Sequence, residues 1–274
     1  MTIKYFDIHS HLNLEPLSND IEGVISRMKE LSVGTVTVGT GLTTSREAVN
    51  LARKYPEMLW ATIGIHPTDA VDEVFDDQEF LTLAQDPKVV AIGETGLDYF
   101  RDQSEEIKQK QVSLFKQHIA LAQKVHKPLM LHVRASKGSD DAYYDALEIL
   151  KDYSSDAASS ANDSSTPLKA NFHFFSGTTK CMQDIIVAGF TVSVDGPITF
   201  VDQYDEMVRS APIESLMIET DSPFAAPKQY RGKNAEPWMV IDVLKKVAEL
   251  KGLDEEVVRA QILENVRKFF SLDF

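Results

Sequence analysis

Residues 89–99 read VVAIGETGLDY, an apolar run of strand length that ends on a carboxylate, Glu94, set between Gly93 and Gly96. A carboxylate buried at the end of such a run faces a large desolvation penalty unless it is paired or bound to metal. Its two oxygens also suit it to bridge two ions about 3.5–4 Å apart. The pattern recurs on both sides of this segment. Apolar runs at 5–9, 35–40, 59–65, 128–133, 170–174, 190–194 and 216–219 join 89–94 as eight strand candidates. Between them lie amphipathic stretches of helical period at 20–31, 45–55, 105–125, 140–153 and 179–188. Nearly all-apolar strands alternating with helices predict an α/β fold, a TIM-type (β/α)8 barrel whose parallel strands are buried on both faces.

Segments 237–250 and 254–270 read as closing helices, the last an additional C-terminal helix, with Asp254 as an N-cap and Gly252 stopping the helix before it. Residues 1-274 are therefore expected to form a single barrel domain, because barrels of roughly 250 residues fold as one unit. The run 154–166, SSDAASSANDSST, is polar and of low complexity, and is expected to be a surface loop before the sixth strand.

Composition narrows the class. With 43% hydrophobic and 26% charged residues the chain has a globular balance. The opening MTIKYFDIHSH lacks the basic start and apolar run of a secretory signal, and no stretch approaches a membrane span, so a cytoplasmic protein is expected. The single cysteine, Cys181, has no internal disulfide partner and is assigned to packing. A net charge of −14 argues against a broad basic surface for gripping nucleic acid. Exposed charges beyond about 8 Å are screened at physiological salt, so a local cation can still dominate a small site. A polyanionic substrate then requires the site itself to supply positive charge. No obligate protein partner is evident.

Polar residues at the ends of barrel strands mark the active-site face. Here they are His9 and His11, His66, Glu94, His132 with Arg134, His173, and Asp221. A lone histidine at a strand end is more often a hydrogen-bonded structural residue than a ligand, and His66, followed by Pro67, also fits a turn. His9 and His11 differ, because alternate strand residues point to the same face and both imidazoles can meet one ion. Glu219, two residues before Asp221, is placed to orient a ligand or substrate from behind. His118 and His126 fall in or just after a helix, where solvated or packing roles are expected.

These residues lie in motifs that run from DIHSHL through GIHP, GETGLDY, LHVR, HFFSG and ETDSP to RGKNAEP. Taken in that order, and over nearly the whole chain, the set resembles the TatD-type metal-dependent deoxyribonucleases, within the amidohydrolase-like metallohydrolases. The resemblance implies one metal held by His9, His11, Glu94 and Asp221 and a second held by Glu94, His132 and His173. It implies two divalent ions (magnesium, manganese or zinc), hydrolysis of DNA phosphodiesters from the 3′ end, and places for His66 and Arg134 near the substrate phosphate. The metals are then expected to acidify a water, Asp221 to accept its proton, and Arg134 to stabilise charge on the phosphoryl oxygens. Tyr99 and Arg101, and the basic group Lys228, Arg231 and Lys233, are candidate nucleotide contacts.

The chain departs from the family at Phe174, where Cys or Ser is common, and at Ala235, where Asn is common. Two other readings compete: a barrel metallohydrolase acting on a non-nucleic-acid ester or amide, and a non-catalytic metal-binding protein. Many relatives in the wider group bridge their metals with a carboxylated lysine at the end of strand four, whereas Glu94 stands there in this chain and favours the nuclease branch. All six ligand positions are filled, which argues against loss of catalysis.

Overall fold

A computed structural model of the chain describes residues 2–70, 72–159 and 167–274. Its strands are β1 (Tyr5–Ser10), β2 (Val33–Val38), β3 (Leu59–Ile63), β4 (Val89–Asp98), β5 (Leu129–Arg134), β6 (Ala170–His173), β7 (Thr191–Val194) and β8 (Leu216–Ile218). They pair in parallel in the order of the sequence, as the barrel expected from the alternating pattern requires. The helices that follow them in turn are α1 (Ile21–Leu31), α2 (Leu42–Lys54), α3 (Asp77–Ala84), α4 (Glu105–Val125), α5 (Asp141–Ser159), α6 (Thr179–Val187), α7 (Asp205–Ser210) and α8 (Val240–Lys251). The additional C-terminal helix is α9 (Glu255–Phe270).

The short helices α3 and α7 carry too few turns to show a clear apolar period, and the sequence pattern did not mark them. The polar run 154–166 begins inside α5, which continues to Ser159, so its first part is helix rather than loop. Residues 160–166 of that run lie outside the described residues. No helix among the described residues is long and apolar enough to cross a membrane.

Every residue of β2, β3 and β4 is buried, which explains why these strands read as continuous apolar runs rather than alternating ones. Phe6 and Ile8 of β1, Val36 of β2, Trp60 of β3, Val90 of β4, Met130 of β5 and Met217 of β8 form one buried cluster. Strands so far apart in the circular order share only the lumen, so this cluster fills it. Leu263, Val266, Phe269 and Phe270 of α9 complete it. The helix is anchored at the starts of β1 and β8. Arg259 donates to the Lys4 carbonyl at 3.1 Å, and the Asn265 amide donates to the carbonyls of Ile213 and Leu216 at 2.7 and 2.8 Å.

The two ends of the sheet meet at a seam. Between β1 and β8 the main-chain contacts are a bridge of Ser10 with Ser222, Asp221 N–H donating to His9 C=O at 3.0 Å, and His11 N–H donating to Ser222 C=O at 2.7 Å. The buried Asp7 carboxylate reinforces them by accepting from the Thr220 amide (3.0 Å), the Thr220 hydroxyl (2.7 Å) and the His9 amide (3.1 Å). Closure of the barrel therefore runs through the residues that flank His9, His11 and Asp221.

His118 of α4 is fully buried against Phe75 and Phe80. Its Nδ1–H donates to the Leu114 carbonyl at 2.9 Å, and its Nε2 accepts from the Ile65 amide at 2.9 Å, which holds the chain in place just before His66. Burial pushes its pKa down to about 4, while an unfolded histidine titrates near 6.5. Between those values the unfolded chain binds a proton that the folded chain refuses, so stability is lost as pH falls from about 6.5 to 4. The expected loss from this residue is about 3 kcal/mol. Urea denaturation of the wild type and of His118→Gln across this window should show a flatter pH dependence in the variant; parallel curves would contradict the assignment.

Candidate metal centre

His9 is the penultimate residue of β1, His11 lies just beyond that strand, and Asp221 follows β8 with a left-handed backbone (φ 49°). The seam brings their side chains together. His9 Nε2 and His11 Nε2 are 3.3 Å apart. Glu94 Oε2 lies 3.6 and 3.8 Å from these two nitrogens, and Asp221 Oδ1 lies 3.7 and 3.4 Å from them. Donors about 2.1 Å from a tetrahedral ion are about 3.4 Å from one another, so His9, His11 and Glu94 are close enough to share a divalent cation, with Asp221 beside the two imidazoles.

Glu94 reaches the cluster because β4 and β5 shift register between Ile92 and Thr95, which releases the intervening residues from the regular ladder. Only glycine fits on either side. A Cβ on Gly93 (φ 149°) would lie 2.2 Å from the Met130 carbonyl oxygen, and one on Gly96 (φ 137°) 2.2 Å from that of His132. The other Glu94 oxygen, Oε1, faces a second group of donors: His173 Nε2 at 2.9 Å, His132 Nδ1 at 3.0 Å and His66 Nε2 at 3.6 Å. One carboxylate thus serves two adjacent donor sets.

The remaining ring nitrogens are mostly fixed by acceptors, which leaves the inward nitrogens free to offer lone pairs. His11 Nδ1–H donates to the Val38 carbonyl at 3.4 Å, and His173 Nδ1–H donates to Glu219 Oε1 at 3.1 Å. Glu219 is itself held by the Phe174 amide at 2.7 Å and the Ser193 hydroxyl at 2.7 Å. His132 Nε2–H donates to Asp98 Oδ2 at 3.0 Å, and Asp98 Oδ1 accepts from the amides of Phe100 and Arg101 at 3.0 and 3.1 Å. His9 is the exception. Its buried Nδ1 has no hydrogen-bond partner, and its ring is instead stacked on His173 with centroids 3.8 Å apart.

Asp98 was not singled out from the sequence, although its signal was present. Extending the fourth strand past Glu94 to Asp98 places the two carboxylates on the same face, since residues 94, 96 and 98 share parity.

The electrostatics follow from this crowding. Burial raises the Glu94 pKa, but the charge of His173 and the hydrogen bonds of His132 and His173 outweigh it and hold the carboxyl well below its ordinary value. Asp221 is also lowered: burial opposes ionisation, and the hydrogen bond and charge of His11, with the charge of His9, overcome it. Conversely, His173 stands well above its usual pKa because Glu219 and Glu94 outweigh burial. At His66 burial, with repulsion from His132, outweighs the attraction of Glu94 3.6 Å away and pushes its pKa down to about 3. The set is one of ionised carboxylates around imidazoles, which suits a cation that displaces the histidine protons.

A cavity of about 560 Å³ opens onto these donors. His11, His66, Glu94, His132, His173 and Asp221 line it, whereas His9 lies beneath with no exposed surface. Arg134 also lines it, its guanidinium 3.9 Å from the centre of the Phe100 ring. The expected substrate contact of Tyr99 is not supported. Its side chain is buried, with its hydroxyl donating to Asp145 at 2.9 Å and Lys108 over its ring, so it has no face to offer. Arg231 stacks on Phe200 at 4.6 Å and is not part of the cavity lining, which removes it from direct contact there. Of the two departures noted in the sequence, Phe174 lines the cavity and Ala235 is buried, its amide donating to Pro223 at 2.9 Å.

A (β/α)8 barrel with clustered imidazole and carboxylate donors at the C-terminal ends of its strands defines a metallohydrolase-type site. Residues 6–271 match the model of the TatD related DNase family, and the chain belongs to that family. As an enzyme it is a hydrolase. It is 36% identical over 272 residues to the uncharacterized metal-dependent hydrolase YabD of Bacillus subtilis (strain 168), covering 98% of this chain and 99% of that protein. It is 30% identical over 277 residues to the 3′-5′ ssDNA/RNA exonuclease TatD of Erwinia tasmaniensis, covering 97% of this chain and 100% of that protein. The crystal structure of YJJV, a TatD homolog from Escherichia coli K12, superposes with a TM-score of 0.86 at 23% identity and full coverage of both chains, which supports the fold.

The Asp98–His132 hydrogen bond makes a specific demand. Asp98→Asn retains an oxygen for the Phe100 and Arg101 amides but removes the charge that orients His132. Metal affinity, measured by competition with a chromophoric chelator, is expected to fall about 10–100-fold with the circular dichroism spectrum unchanged. Wild-type affinity in the variant would exclude Asp98 from this role.

Proposed function

We propose that this enzyme hydrolyses DNA phosphodiester bonds with the help of two divalent metal ions, magnesium, manganese or zinc, and removes nucleotides from the 3′ end of single strands. The observation that carries the reading is the division of Glu94, one oxygen facing His9 and His11, which Asp221 also approaches, and the other facing His132 and His173. The first group would hold one ion together with Glu94, and the second group the other. Bound there, the ions supply an acidified water and positive charge for the phosphoryl oxygens. The polarity and the polymer rest on family membership and on the relative named a 3′-5′ ssDNA/RNA exonuclease.

The chain's own residues complete the reaction. Asp221 lines the cavity, is ionised at neutral pH, and is the general base that takes the proton from the attacking water. His66 stays neutral there. Its Nδ1 accepts from the Thr68 amide at 3.2 Å, so its Nε2 carries the hydrogen and donates towards a phosphoryl oxygen. Arg134, steadied by its stack on Phe100, stabilises the charge that develops on the same phosphate.

Single-stranded DNA and RNA labelled at either end, incubated with chelator-treated and then metal-reloaded protein, test this reading. Metal-dependent release of mononucleotides from the 3′ end of DNA is expected, with Glu94→Gln lowering kcat by at least about 10²–10³-fold in a folded protein. No metal-dependent cleavage of either polymer, or a wild-type rate in the variant, would refute it.

A further inference from the structure

The lining of the cavity changes character around the barrel mouth. On the β4–β5 side it carries two cations, Arg101 and Arg134. On the β6–β8 side it carries three aromatic rings, Phe174 after β6, Tyr204 after β7 and Phe224 after β8. In the circular order of eight strands β8 lies across the mouth from β4, so Phe224 and the two arginines enter the lining from opposite arcs of the barrel.

Phe224 is the most informative of these. It is 55% exposed, yet it is not a loose surface side chain. Its amide donates to the Asp221 carbonyl at 2.8 Å, which fixes the turn immediately after that ligand, and its ring meets the edge of His11 with centroids 6.0 Å apart. A solvent-facing phenyl ring at the lip of a polar cavity, on a backbone pinned to Asp221, offers a face on which a flat group can stack. Opposite it, the Arg101 side chain is 66% exposed, and its Nε is 3.9 Å from Asp98 Oδ2, a weak pairing that leaves its outer nitrogens free for an anion. The lining also carries Asp69, Glu94 and Asp221, so its cationic character is confined to the two arginines. A ligand that is flat and apolar at one end and anionic at the other satisfies both sides, and its size suits a cavity of about 560 Å³.

We propose that the aromatic side, through Phe224, stacks on the base of the terminal nucleotide of the substrate, while Arg101 and Arg134 hold backbone phosphate on the other side. This inference rests on the nuclease reading above and adds to it how the strand end is held. Stacking on a phenyl ring is tolerant of base identity, so the site recognises a nucleotide without reading sequence.

The test uses the manganese-loaded enzyme and oligonucleotides that end either in a natural 3′ nucleotide or in an abasic one. On the natural end, Phe224→Ala is expected to raise KM about ten-fold. On the abasic end the wild type should show the same penalty and Phe224→Ala no further one, while Phe224→Trp should retain the preference for a base. Arg101→Ala should make the dependence of log KM on log salt shallower by about 0.7. A wild-type KM for Phe224→Ala on the natural end, or an equal additional loss on the abasic end, would overturn the stacking assignment while leaving the nuclease reading intact. If the wild type cleaves no DNA, titration calorimetry with thymidine 5′-monophosphate and inorganic phosphate decides the matter separately. Tighter binding of the nucleotide by the wild type, lost in Phe224→Ala, supports the subsite; equal affinity for the two anions overturns it.

Discussion

The seam between β1 and β8 is the join on which both the barrel and its chemistry depend. Elsewhere neighbouring strands share ladders of two to five residue pairs, but here the closure consists of a single bridge with its main-chain hydrogen bonds and the carboxyl group of Asp7. Those contacts also set the backbone of His9, His11 and Asp221. Asp221, three residues beyond β8, takes a left-handed conformation, and its carboxylate lies 3.7 and 3.4 Å from the His9 and His11 imidazoles. A carboxylate held in the core thus does the work of a longer ladder.

Glu94 is the second constraint, and it shows how much of the molecule could be read from the chain. All-apolar runs bounded by polar residues were enough for the strand count, because parallel strands buried on both faces have no alternation to disguise them. The six donor residues were legible for a related reason: histidine or carboxylate at the end of such a run has few structural excuses. His9 and His11 came with their geometry, since strand parity alone puts them on one face.

What escaped the sequence lies where local pattern is silent. Asp98 was overlooked because β4 runs four residues further than its apolar portion, and the register shift near Glu94 conceals that the strand resumes. Tyr99 looked like a surface aromatic beside the site, but just past the end of β4 its ring is buried and its hydroxyl donates to Asp145 of α5, while Phe100 takes the exposed position. His118 read as an ordinary helical residue, and only the packing of α4 reveals that it accepts the Ile65 amide. The ring of Phe224 became notable only once the barrel order set it across from the arginines. Each of these depends on contacts between segments distant in sequence, which no window along the chain contains.

The sparse seam has a thermodynamic corollary. His9 and His11 belong to β1 and Asp221 to the end of β8, so any cation shared by the three is a cross-link between the first strand and the last. Ligand binding restricted to the native state adds RT ln(1 + L/Kd) to its stability, where L is the free ligand concentration, and this keeps growing with ligand concentration beyond saturation. Melting temperature therefore becomes a gauge of metal loading, and withdrawal of the ion should be felt first as breathing of the terminal strands. In that respect the centre is a rivet in the scaffold as well as an instrument of hydrolysis.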